Sequence, residues 1–178
     1  MNTSPSIHGY ASLRVEYTLD VSHDRFTRGL EALLGRMDLD TLRDAATRSP
    51  EDAKERLAAY VGPSDFTLFQ KLDHGALLTT FTGRRTRATT YVFGNALIAI
   101  ELTRQTSRVG LYVPLRLFVQ EISSARVIVT YDLPSATLAQ FQSREVDAVA
   151  RTLDAKVERL VANAAKQLER VRAEQEPS

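Results

Sequence analysis

Leu13, Val15, Tyr17 and Leu19 alternate with Arg14, Glu16 and Thr18, the period of two that places apolar side chains on one face of a half-buried strand. The period then changes. Behind Ser22, which reads as a helix cap, Phe26, Leu30, Leu33, Leu34 and Met37 recur at spacings of three and four. That stripe predicts an amphipathic helix facing the core from Phe26 to Met37. Asp40 and Ser49-Pro50-Glu51-Asp52 read as two further helix starts, since a short polar side chain caps free amides, proline suits the first helical position and acids suit the positive dipole end. Short helices over 40–47 and 50–61 are predicted. Gly62-Pro63-Ser64-Asp65 is a break, after which Phe66, Leu68, Gln70 and Leu72 begin a second strand.

Threonine-rich Thr86–Phe93 has strand composition and is closed by Gly94-Asn95. A helix is predicted from Asn95, and its Leu97, Ile98, Ile100 and Leu102 cover so much of the circumference that burial on more than one side is expected. Pro114–Glu121 and Arg126–Asp132 flank Ile122-Ser123-Ser124-Ala125, which makes them a hairpin with Leu115, Leu117 and Val119 on one face. From Ser143, the residues Val146, Val149, Leu153, Val157, Leu160, Ala164, Leu168 and Val171 hold a helical spacing over about seven turns. One long C-terminal helix over 143–175 is expected.

This order predicts an α+β fold: an antiparallel or mixed sheet with helices packed on one face and a long C-terminal helix. Residues 1–178 read as a single domain, with residues 38–61 as a helical insert and residues 1–8 and 173–178 as tails. A doubly wound nucleotide fold is disfavoured, because no Gly-rich turn follows the first strand and no lysine-containing phosphate loop exists. Composition agrees with an ordinary globular domain, at 43% hydrophobic and 25% charged residues in 178. The net charge of +1 provides no global field for nucleic acid or anionic lipid. The absence of cysteine removes thiol chemistry and makes the cytoplasm the expected compartment. No apolar run approaches the roughly 20 residues that span a bilayer, and MNTSPSIHG does not begin as a secretory signal.

Three short motifs carry candidate chemistry. In Asp73-His74-Gly75, at the end of the second strand, the histidine titrates near neutral pH and the neighbouring carboxylate suits it for acid-base work if the chain turns there. The structural alternative is that Asp73 caps a turn over Ala76–Phe81 while His74 donates to a backbone carbonyl. Phe93-Gly94-Asn95 joins a strand to a helix N-terminus, which is either a simple cap or an anion site, the latter favoured if Arg84, Arg85 and Arg87 lie beside it. Tyr131, at the end of a strand, closes a pocket or satisfies the sheet edge. His8, His23 and His74 are too far apart in sequence for a metal motif, so neither metal nor cofactor is expected. A serine hydrolase is disfavoured by the lack of GxSxG.

The segments FTLFQKLDHG, YVFGNALIAIE, VGLYVPLRLFVQE and VIVTYDLP occur in a fixed order and together resemble the bacterial and archaeal family called domain of unknown function 302. The resemblance runs over roughly residues 10–135. It implies a compact α+β domain and a homodimer. The family's aspartate-histidine pair falls on Asp73 and His74. Its FGNP becomes FGNA here, with Ala96 replacing the proline. Its YNDP becomes YDLP, so Tyr131 and Pro134 match whereas Asp132 and Leu133 do not. Three functional readings follow: a module binding a small organic ligand in an apolar cleft through His74, Asn95 and Tyr131, an enzyme using His74 and Asp73 in that cleft, and a scaffold whose C-terminal helix pairs with a partner.

Overall fold

The computed structural model describes residues 4–173, and side chains as far as Lys166. Its centre is a six-stranded mixed sheet made of β1 (Arg14–Leu19), β2 (Gly35–Arg36), β3 (Thr67–Asp73), β4 (Ala88–Gly94), β5 (Leu115–Ser123) and β6 (Arg126–Asp132), in the order β1-β6-β5-β4-β3-β2. Every pairing is antiparallel except the short parallel contact of β2 with β3. The helices are α1 (His23–Leu33), α2 (Leu39–Ala45), α3 (Pro50–Ala58), α4 (His74–Thr82), α5 (Ala96–Thr103), α6 (Pro134–Leu138) and α7 (Arg144–Ala173). The α+β architecture and the long final helix are as the hydrophobic pattern predicts.

Phe26 and Leu30 of α1 and Val146, Ala150, Leu153, Val157, Leu160 and Ala164 of α7 form one core with Tyr91, Phe93, Leu117, Val119, Val127, Val129 and Tyr131 of the sheet. Alternation along each strand sends the intervening residues, among them Thr90, Val92, Phe118, Ile128 and Thr130, to the other face, where they are only half-buried. The described part of the α7 stripe, from Val146 to Ala164, is enclosed in its own domain. Leu168 and Val171, and tail residues 1–3 and 174–178, lie outside the described side chains or residues.

Several local expectations change. Ser22 holds the N-cap position of α1 without a side-chain cap bond, and α1 ends at Leu33. Leu34 and Met37 are buried beyond it, because the chain turns there into β2. The cap of α2 is Asp38 rather than Asp40, its carboxylate accepting from Thr41 N at 2.7 Å. Ser49 caps α3 as expected. The predicted turn over Ala76–Phe81 is part of the helix α4. Of α5, only Leu102 is buried and Ile100 is 52% exposed, so its apolar girth is not matched by burial.

Candidate functional site

The site begins with an irregularity in β3. Leu68 pairs with Phe93 and Gln70 with Val92, which leaves Phe69 unpaired as a bulge. Bulges bend a strand and re-aim a side chain. Phe69 accordingly packs with a second, smaller core of Met37, Ala45 and Leu57, to which Ala53, Tyr60, Ala96 and Leu97 add their partly buried side chains. That cluster seats α2 and α3 beside the start of α5. Between them runs a groove of about 970 Å³.

Most of the groove is hydrocarbon. The α5 helix lines it with Ala96, Ile98, Ala99, Ile100 and Leu102, α2 with Leu39 and Leu42, and the sheet with Phe69, Val92 and Leu115. Its polar side chains are Asp38, Asp40, Arg43, Gln70, Asn95 and Thr103. Most of these have partners already. The Asn95 Oδ1 accepts from Leu97 N at 2.9 Å and Ile98 N at 3.3 Å, while its Nδ2 donates to the Asp65 carbonyl at 3.0 Å. The Thr103 hydroxyl donates to Ala99 O at 2.8 Å, and Arg43 pairs with Asp40. The amide of Thr41 holds the Asp38 carboxyl below the usual carboxylate range.

Among the predicted site residues, Asn95 alone lines this groove. Asp73 caps α4, accepting from Ala76 N at 2.9 Å. His74 is exposed, with Nε2 3.1 Å from the Thr90 hydroxyl and its ring 6.3 Å from that of Phe118. The pair occupies the end of the sheet where β4 starts. Asn95 follows the last residue of β4, so seven strand residues at about 3.3 Å each put roughly 20 Å between the two. Tyr131 lies on the helix-covered face, where its ring stacks on Tyr17 at 6.3 Å. Burial, followed by its bond with Tyr17, pushes its phenol well above the usual range. The expected union of His74, Asn95 and Tyr131 in one cleft is therefore not what the fold builds.

The arginines are also remote from Asn95. Arg84 and Arg85 are exposed between α4 and β4. Arg87 pairs with Asp24 at 2.6 Å and lies 3.7 Å from Glu121. Next to them His23 is buried, and neither ring nitrogen has a hydrogen-bond partner among the described residues. Burial first, and then the charge of Arg87, lower its pKa. On the same helix Glu31 accepts from Lys71 Nζ at 2.7 Å and from the Tyr91 hydroxyl at 2.9 Å.

Sequence reasoning missed the groove because it read the all-round apolar α5 as core. The signal was its brevity. Eight residues carrying Leu97, Ile98, Ile100 and Leu102 suit a lining helix as well as a buried one. Phe69 gave no sign, since a bulge does not interrupt the apolar pattern. Among the described residues, no three His, Asp or Glu side chains gather as a metal site requires, and no helix is long and apolar enough to cross a membrane.

No curated protein matches the chain. Among solved structures it is similar to the crystal structure of the uncharacterized conserved protein DUF302 from Bacillus stearothermophilus, with a TM-score of 0.58 and 10% identity over 85% of this chain and 97% of that one. At such identity the likeness is one of fold. Residues 43–164, from within α2 to within α7, match the family described as domain of unknown function DUF302. With most of its length matched, the chain belongs to the DUF302 family.

Proposed function

We propose that this domain binds a small, largely apolar organic molecule in the groove between the α2–α3 pair and α5. The supporting observation is α5 itself, whose Ile98 and Ala99 are half-buried and whose Ile100 is exposed along an apolar groove of about 970 Å³. That volume falls within the roughly 300–1,000 Å³ of sites that take drug-sized ligands. Binding is favoured over turnover because Asp73 and His74 stand at the opposite end of β4 and Asp73 is occupied as a cap. Net charge and the lack of cysteine support a cytoplasmic protein whose partner is neither nucleic acid nor membrane.

Nile red, a neutral apolar dye, tests the reading. Its fluorescence should rise on binding, Ala99→Trp and Ile100→Asp should abolish the rise with Tm unchanged, and His74→Ala should leave it intact. Retention by both groove variants would remove the groove from consideration. Loss in His74→Ala alone would move the site to the β3–α4 end and favour the enzyme.

A homodimer is the second proposal. Leu72, Leu77, Leu78 and Phe81 are exposed around α4, Phe81 at 86%, beside the half-buried Phe118 and Ile128 of the open sheet face. A self-association surface accounts for so many exposed large apolar groups. Light scattering should give a dimer mass for the native chain and a monomer mass for Leu77→Glu/Phe81→Glu. A native monomer at tens of micromolar would end the proposal.

A further inference from the structure

We infer that the molecule held in the groove carries a positively charged or hydrogen-donating head, such as an amine, at the α2 end and lays its apolar body along α5. The inference rests on the binding proposed above and adds the polarity of the ligand. Groove volume and apolar lining supply the site, and the charges within the lining decide the head.

Those charges are two carboxylates and one guanidinium. Arg43 is paired with Asp40, which leaves Asp38 as the uncompensated charge of the lining. Arg56, close enough to act on Asp38, makes its ion pair with Asp44, which it shares with Arg48 at 2.9 Å from each, and it does not line the groove. Asp38 uses Oδ1 on Thr41 N, and a carboxylate has acceptor sites to spare on its second oxygen. The one cationic donor of the lining, Arg43, is held by Asp40, and neutral donors for an anionic head are scarce. Asn95 donates to the Asp65 carbonyl, Thr103 donates to Ala99 O, and Gln70 is the one amide of the lining without a bond among the described residues. Desolvating a carboxylate without donors is costly, whereas an ammonium beside Asp38 forms a charge-assisted bond. A fatty-acid-like anion is thus the wrong ligand and a long-chain amine, protonated at neutral pH, the right class.

The test compares dodecylammonium with dodecanoate by titration calorimetry below their micellar concentrations at 0.15 M salt. Only the binding lost in Ala99→Trp counts as groove binding. The cation should bind at least tenfold more tightly. Asp38→Asn should bring the two within about threefold at unchanged Tm, since Asn caps a helix about as well as Asp. Equal or tighter dodecanoate binding, or a preference that survives Asp38→Asn, would overturn the head-group inference while leaving the groove as a binding site. If neither amphiphile shows binding sensitive to Ala99→Trp, the groove reading fails as well.

Discussion

Replacing Tyr91 with Phe isolates one polar link through the core. Tyr91 is fully enclosed, and its hydroxyl donates to Glu31 Oε1 at 2.9 Å, an oxygen that also accepts from Lys71 Nζ at 2.7 Å. Arg36 approaches the second oxygen at 3.4 Å. A hydrogen bond to a charged group contributes about 1.5–3 kcal/mol. Phe preserves the ring and leaves no cavity. The Glu31 carboxylate, 22% exposed, keeps Lys71 and some water, so no charge is stranded and the loss belongs at the lower end, about 1.5 kcal/mol. For a domain of this length that lowers Tm by about 3–6 °C.

The same link has a pH signature. Burial alone would raise the Glu31 pKa, but bonds from Lys71 and Tyr91 and the charges of Lys71 and Arg36 outweigh it and hold the carboxyl below its ordinary value. A carboxylate depressed on folding stabilises the native state above its unfolded pKa, about 4.3, and that stabilisation disappears as pH falls through the folded value. Urea unfolding should therefore show the full difference between native and Tyr91→Phe proteins at pH 7 and a shrinking one below about pH 4. In a cycle with Glu31→Gln, the two substitutions should be non-additive. A cost under about 0.5 kcal/mol at pH 7, or one unchanged at pH 3, would refute the reasoning.

Three further perturbations test other parts of the structure. Gly35→Ala places a Cβ 1.8 Å from the Tyr60 carbonyl oxygen and 2.7 Å from Gly62 N. The crossing must open, with a loss of about 3 kcal/mol or more in urea unfolding, and a loss below about 1 would contradict the packing. His23→Gln should flatten the stability slope between pH 7 and pH 5. A buried His with a lowered pKa destabilises the fold as pH drops below about 6.5, by up to about 1.4 kcal/mol per pH unit, and an unchanged slope would assign the effect elsewhere. Asn95→Ala removes the α5 cap and the bond to Asp65 O, so about 1–2 kcal/mol should be lost in thermal or urea unfolding. A neutral result would mean that α5 holds its place by packing alone.

The regular parts of the fold were legible because their patterns are long. The alternation around Val15, the paired runs of β5 and β6 and the sustained stripe of α7 each repeat often enough to specify one element and one buried face. Met37 shows the limit: it continues the spacing of Phe26 and Leu30 yet belongs to another cluster, because periodicity does not reveal where a chain turns. Asp73 and Asn95 were legible as caps, since capping is local chemistry. The groove was not legible, because it depends on the Phe69 bulge and on which side of α5 the sheet leaves uncovered. Nor could spacing show that Arg87 and Asn95 lie at opposite ends of one strand.

The strand order has a consequence during synthesis. The β1 strand is an edge whose partner is β6, and the Arg14–Asp132 contact joins residues 118 positions apart. At about 5–20 residues per second, β1 waits roughly 6–24 s on the ribosome before its partner exists. In that interval Arg14, Glu16 and Thr18, the alternate positions of β1, keep the waiting strand polar on one side and so guard it against pairing with neighbouring nascent chains. Strands β2 to β6 pair in the order in which they are made, so the sheet grows from its β2 edge towards β6 and is completed by the segment that was made first.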